Sequence, residues 1–227
     1  MLIAIDTSTR FASLALYEEG VLLSEETWFS RNNHTVELVP GLVRLLERQE
    51  KGPGEIEGVA VALGPGSFTG LRIGLAVAKG LALGLGVPIA GVPTLDALAY
   101  PFAGRGLPVW AILQAGRGRI CTAPYNRQRG RWQRSGDYCI STFDALISGP
   151  WGELGKRAIF CGEIDSAGRK AIRKSLGDRA IIASPAFSLR RAGFLAELGW
   201  EKIIRGESDD LAGLAPIYLH TAPVEGG

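Results

Sequence analysis

Between Val59 and Leu85 the chain runs from a short apolar segment, Val59–Leu63, through Gly64-Pro65-Gly66-Ser67-Phe68-Thr69-Gly70-Leu71-Arg72-Ile73-Gly74 into a stretch with helical spacing. Leu71, Ile73, Leu75, Ala76, Val77, Ala78, Leu81, Leu83 and Leu85 leave that helix only a narrow polar strip at Arg72 and Lys79. A helix apolar nearly all round has to be covered on both sides. A sheet covers one side; a neighbouring helix of the same chain, or a partner, covers the other. A strand that turns through glycines into such a helix confines the chain to layered α/β architectures. The stretch does not read as a lipid span, because Lys79, several glycines and Pro88 interrupt the ~20 apolar residues a bilayer demands.

The flanking sequence extends the pattern. Leu2–Asp6, Phe11–Tyr17 and Val21–Phe29 read as strands, with Glu18-Glu19-Gly20 as a hairpin turn. Thr35–Gln49 reads as a helix, Val59–Leu63 as a strand, Thr69–Leu85 as a helix, Pro88–Val92 as a strand, and Thr94 caps a short helix through Tyr100. The second half follows the same order: strands at Val109–Leu113, Arg119–Tyr125 and Trp132–Ile140, then a helix at Thr142–Ile147. A strand at Ala158–Cys161, a helix at Ser166–Leu176, a strand at Ala180–Ala183 and a helix at Phe187–Trp200 complete it. The expected fold is therefore α/β and two-lobed, each lobe βββαβαβα, the ribonuclease-H-like arrangement of actin-like proteins. Pro101–Pro108 is the expected hinge, dividing the chain into lobes 1–103 and 104–227.

With 46% hydrophobic and 21% charged residues in 227, the chain can bury a core and is not disordered. Cys121, Cys139 and Cys161 form no CxxC, and with His34 and His220 as the only histidines a structural zinc site is not expected. Free thiols in a reducing cytosol are. The opening MLIAIDTSTR lacks a basic segment followed by a long apolar one, so the expectation is a cytoplasmic protein with no membrane partner. Charge is unevenly spread. Residues 1–103 carry 7 Lys+Arg against 11 Asp+Glu, and residues 104–227 carry 18 against 12. From Arg105 to Ser135 there are seven arginines (Arg105, Arg117, Arg119, Arg127, Arg129, Arg131, Arg134) and no acid. With Tyr125 and Trp132 among them, this run either meets RNA phosphate and bases or forms a solvated basic face.

The glycine-rich turn sits where backbone amides at a helix start can hold an anion. It lacks the GK[ST] triplet of a phosphate-binding loop and has GxGxxxG rather than GxGxxG spacing. The alternative is a tight strand-to-helix turn built on Gly64, Gly66 and Gly70, with Ser67 or Thr69 as the cap. Asp6, with the hydroxyls of Thr7 and Ser8, is a candidate phosphate or nucleotide loop at a strand end, or a carboxylate that satisfies turn amides.

The segment GPGSFTGLRIG closely resembles the signature of the bacterial TsaB (YeaZ) family of tRNA threonylcarbamoyladenosine biosynthesis proteins. Ile3-Ala4-Ile5-Asp6-Thr7-Ser8 resembles that family's opening strand and turn, Asn33–Pro40 its "HS-x-x-L-x-P" helix start, and Pro216-Ile217-Tyr218-Leu219 its "P-x-Y-L-R", with His220 for Arg. The usual "DARRGEVY" reads Gln114-Ala115-Gly116-Arg117-Gly118-Arg119-Ile120-Cys121 here. The resemblance implies a non-catalytic partner of the catalytic paralogue TsaD and the ATPase TsaE, for threonylcarbamoyl transfer to N6 of adenosine 37 of tRNA. It implies no catalytic residue, no metal and no cofactor of its own, with ATP and Mg only at the level of the complex. The HxxxH metal helix of TsaD-type catalysts cannot be made from His34 and His220.

The broad apolar arcs of the first two helices point to an interface. His34, Leu38, Leu42 and Leu45 on one and Arg72, Ile73, Gly74 and Val77 on the other are its candidates, used for a homodimer alone and for the paralogue in the cell. Two other classes compete. An actin-like ATP-binding phosphotransferase or ATPase acting alone needs a second-lobe carboxylate where Gln114 stands. A peptidase needs a base for Ser67, and His34 is the only histidine outside the C-terminal tail.

Overall fold

The computed structural model describes residues 1–31, 33–149 and 157–219, so His220 lies outside the described residues. The chain divides into two units: residues 1–97 with 190–217, and residues 98–189 with those after 217.

In the first unit a five-stranded sheet runs in the order β3-β2-β1-β4-β5, from β1 (Leu2–Asp6), β2 (Phe11–Glu18), β3 (Val21–Phe29), β4 (Gly58–Ala62) and β5 (Ile89–Val92). β2 is antiparallel to β1 and β3, while β4 and β5 run parallel to β1. Alternation along the strands sorts the side chains by size. Ile3, Ile5, Leu14, Leu16, Val59 and Val61 face helices α1 (His34–Arg48) and α2 (Phe68–Leu85). Leu2, Ala4, Ala15, Ala60 and Ala62 face helix α6 (Ala192–Ile204). The alanines let that helix come close: a Cβ on Gly199 would lie 2.4 Å from Ala60 Cβ. α2 is long and apolar enough to suit a membrane by composition alone, yet Leu71, Leu75, Ala78 and Ala82 are buried on this unit.

The second unit repeats the strand order. β6 (Val109–Gln114), β7 (Ile120–Gln128), β8 (Arg131–Arg134), β10 (Ala158–Gly162) and β11 (Ala180–Ile182) make a sheet ordered β11-β10-β6-β7-β8, and β9 (Cys139–Ser141) also pairs with β7. Trp110, Ile112, Ile120 and Phe160 pack on α4 (Phe143–Ser148) and α5 (Ser166–Leu176). A short α3 (Thr94–Ala99) and a 3-10 turn over Tyr100–Arg105 span the join in sequence. The duplicated actin-like topology is present without a sequence repeat.

Three expectations change. The lobes do not divide at 103/104, because α6, read as the last helix of lobe 104–227, belongs to the first unit. Its buried residues Ala192, Leu195, Ala196 and Gly199 fit the alanine face of the first sheet. Ala192 N donates to Ser13 Oγ at 2.9 Å and Gly193 N to Glu25 Oε1 at 2.7 Å. That helix also starts at Ala192 rather than Phe187. The strand expected over Trp132–Ile140 is two strands, β8 and β9, both on β7. Pro124 of β7 has no N–H to continue the ladder, and Ser135 N bonds its carbonyl at 2.9 Å where the partner chain breaks. The structural division sharpens the charge asymmetry. The first unit carries 11 Lys+Arg against 16 Asp+Glu, and residues 98–189 carry 14 against 6.

Candidate functional site

The segments singled out above converge at the end of β1. Asp6 is 2% exposed, and its carboxylate accepts from Ser8 N at 2.8 Å and from Arg190 Nε at 3.1 Å. Arg190, also buried, reaches Thr9 Oγ1 as well and donates to Phe11 O at 3.3 Å. Thr7 Oγ1 donates to Gly70 O at 2.7 Å, and the Ser8 hydroxyl pairs with Thr94 Oγ1 at 2.9 Å. All three candidates for a phosphate loop therefore face inward. The cation on the Asp6 carboxylate is a side chain of the chain itself. Asp6 and the turn hydroxyls act as internal hydrogen-bond partners here, and the phosphate-loop reading is corrected accordingly.

The glycine motif is explained by the same turn. A Cβ on Gly66 would stand 2.3 Å from Ser8 O, on Gly70 2.1 Å from Thr7 O, and on Gly74 2.2 Å from Thr7 Oγ1. Gly64 has φ +104°, and a Cβ there would lie 2.9 Å from Ile217 O. Ser67 N donates to Ser8 O at 2.6 Å, Thr94 N to Gly64 O at 2.8 Å, and Ile217 N to Leu63 O at 2.7 Å. The glycines thus let the start of α2 lie directly on the backbone of the turn that follows β1. Ser67 is the cap, accepting from Gly70 N, and Thr69 is exposed. A turn engaged with backbone in this way is a packing device rather than a cradle for an anion.

His34 opens α1 beside this knot. It is 94% buried by its 6% exposure, and Nε2 donates to Thr9 O at 2.9 Å. Ser67, the peptidase candidate, has its hydroxyl engaged as the α2 cap.

The interface residues divide. His34, Leu38, Leu42, Leu45 and Gly74 are buried in their own unit, so they are not the contact surface that the apolar arcs suggested. Arg72 is exposed, and Ile73 and Val77 are half-buried against the core. The outward apolar positions are Val36 (68% exposed), Val39 and Val43 on α1, and Phe68 and Leu83 (73%) on α2. Arg72 lies over the Phe68 ring, 3.7 Å from its centroid. A wide arc has an inner and an outer half, and periodicity alone does not say which half meets the sheet. Arg190, the cation that neutralises Asp6, lies 184 positions along the chain and had no local signal.

In the second unit Gln114 closes β6, the position equivalent to Asp6. Its amide Nε2 donates to Glu163 O and its backbone N to Glu163 Oε2, both at 3.0 Å. Among the described residues no three His, Cys, Asp or Glu side chains gather as metal ligands. Burial pushes the Cys121 thiol up to about 11 and raises Cys161 further, so neither is a thiolate at neutral pH.

A family described as TsaD, tRNA N6-adenosine threonylcarbamoyltransferase, matches residues 28–198. The tRNA threonylcarbamoyladenosine biosynthesis protein TsaB of Bacillus subtilis (strain 168) is 32% identical over 228 residues, covering 99% of this chain and 96% of that one. The chain belongs to the TsaB family. The Escherichia coli (strain K12) TsaB is 36% identical over 134 residues, 58% of each chain. YeaZ from Pseudomonas aeruginosa superposes with a TM-score of 0.79 at 26% identity, over 96% of this chain and 99% of that one. An ethanolamine utilization protein EutJ from Carboxydothermus hydrogenoformans, at TM-score 0.52 and 14% identity, shares the fold alone. The TsaB-like segments Ile3–Ser8, Gly64–Gly74 and Pro216-Ile217 are those that meet at the Asp6 turn, and His34 joins them there.

Proposed function

We propose that this chain serves tRNA threonylcarbamoyladenosine biosynthesis in the cytoplasm as a non-catalytic subunit, needed for threonylcarbamoyl transfer to N6 of adenosine 37. It pairs with a TsaD-like catalytic paralogue through the outer faces of α1 and α2, and with a second copy of itself when alone. A TsaE-like ATPase joins the assembled pair, and nucleotide acts at the level of the complex.

The observation that carries this reading is the row of exposed aliphatic and aromatic side chains on two helices that lie on one sheet face: Val36, Val39, Val43, Phe68 and Leu83. Large apolar side chains concentrated on one surface favour a protein partner. A solitary ATPase or phosphotransferase draws no support from a first-unit carboxylate already paired with Arg190 and a neutral Gln114 at the equivalent strand end of the second unit. Val39→Glu and Leu83→Glu change surface positions, so the fold is kept and the charge falls on the proposed interface. Copurification of the paralogue should drop at least tenfold, and threonylcarbamoyladenosine in bulk tRNA should fall in cells carrying only the variant. Unchanged copurification with both variants would remove this interface.

A further inference from the structure

The β7–β8 hairpin of the second unit carries a cluster that the proposed pairing does not use. Arg127, Arg129, Arg131 and Arg134 lie within eight consecutive positions, all four exposed, in residues 98–189 where basic side chains outnumber acidic ones 14 to 6. Arg127, Arg129 and Arg131 have no ion pair among the described residues. The hairpin itself holds no acid, and Asp137, three residues beyond β8, reaches Arg134 only at 4.0 Å. Cross-strand register pairs Arg127 with Trp132 and Tyr125 with Arg134, so these four side chains share one face of the sheet. The Trp132 ring lies nearly parallel to that of buried Tyr125, 17° apart with centroids at 6.2 Å, and is half-buried. Tyr125 thereby fixes the indole in orientation and leaves part of it at the surface. Arg134 is held over the Tyr138 ring at 3.9 Å.

We infer that this hairpin is an RNA-contact surface. The exposed guanidiniums meet backbone phosphates, Arg127 keeping N–H groups to spare beside its Nε bond to Gly130 O at 3.0 Å, and Trp132, stiffened by Tyr125, offers a stacking surface to an unpaired base. A fixed aromatic flanked by arginines matches single-stranded nucleic acid, whose charge repeats along the backbone and whose bases all present a π-face. An acidic protein would use the charges without the indole. The RNA is tRNA on the reading of the preceding section, on which this inference rests.

The test uses the full chain and an unmodified tRNA transcript, titrated by fluorescence anisotropy from 50 to 200 mM salt. Arg127→Gln/Arg131→Gln should weaken binding about tenfold at the lower salt and reduce the slope of log K against log salt by about 1.4, the effect of two single-strand phosphate contacts. Trp132→Ala should weaken binding roughly fivefold or more while leaving that slope unchanged. Ultraviolet crosslinking of the unaltered chain should place adducts within residues 125–138, a readout that does not depend on any variant folding. A slope unchanged in the arginine variant, or adducts confined to other segments, overturns the inference. Copurification of the paralogue is scored in parallel. If the hairpin variants keep tRNA binding and lose the paralogue, the hairpin is a protein contact and the inference is wrong. If they keep the paralogue and lose tRNA, the surface is assigned independently of the α1–α2 pairing.

Discussion

Two glycines of α2 should respond to the same substitution with opposite signs. In a helix, alanine is favoured over glycine by about 0.5–1 kcal/mol because the unfolded glycine has more freedom to lose. At Gly80 a new Cβ meets nothing within 4 Å, so Gly80→Ala should realise that gain. At Gly70 the new Cβ would stand 2.1 Å from Thr7 O, against ordinary contacts of 3.4–4 Å, so the helix start and the β1 turn must part by more than 1 Å. That carbonyl is backbone, and Ser67 N–Ser8 O at 2.6 Å and Thr7 Oγ1–Gly70 O at 2.7 Å tie the two segments together. Overpacking of this kind costs about 1–3 kcal/mol, and a stretched buried hydrogen bond adds about 1 kcal/mol. The clash outweighs the propensity gain, leaving Gly70→Ala about 1–3 kcal/mol less stable. For a chain of this size about 2–4 °C accompanies each kcal/mol. Thermal unfolding by circular dichroism, in dilute protein so that self-association does not enter, should show Tm lowered by roughly 3–10 °C for Gly70→Ala and raised by roughly 1–4 °C for Gly80→Ala. A Gly70→Ala protein as stable as the parent would refute the account of the glycine motif as a close backbone approach.

Three further outcomes are expected. Arg190→Met strands the buried Asp6 carboxylate and should cost about 3–5 kcal/mol in denaturant unfolding; adding Asp6→Asn should recover part of it, and strict additivity of the two changes would argue against the pair. Hydrogen bonds from Ser30 and from Trp28 Nε1 hold the Glu37 carboxyl below its usual value, so its contribution is present above about pH 4.5 and is lost as pH falls through the lowered folded value. Glu37→Gln should accordingly flatten the decline of Tm on acidification, and a parallel decline would contradict it. With a thiol reagent at pH 8, exposed Cys139 should react in the native protein before buried Cys121, and Cys161 should react only on unfolding; early labelling of Cys161 would show that its core opens locally.

Much of the framework was legible in the chain because periodicity is local. The order of elements through Tyr100 follows from alternation and 3.6-residue spacing, and the boundaries of α1 and α2 fall within one residue of those expected. Gly64, Gly66, Gly70 and Gly74 announced a special turn by their spacing, and the neutral Gln114 where an actin-like ATPase needs a second-lobe acid was visible in the chain as well. Segments of the TsaB pattern were also recognisable before their purpose was.

Their purpose was a tertiary matter. A glycine's spacing does not say which carbonyl it approaches, and only the fold brings Thr7 O to Gly70. The charge on Asp6 is answered by Arg190 from the far end of the chain, a pairing with no sequence neighbourhood to betray it. The apolar arc of α1 was correct in width, but Leu38 and Leu42 turn inward and Val36 and Val39 outward because the sheet, not the helix, chooses the buried half. Helix α6 carries an apolar face that fits either sheet by pattern. It settles on the first because Ala4, Ala15 and Ala60 there leave room for a backbone as close as Gly199 allows.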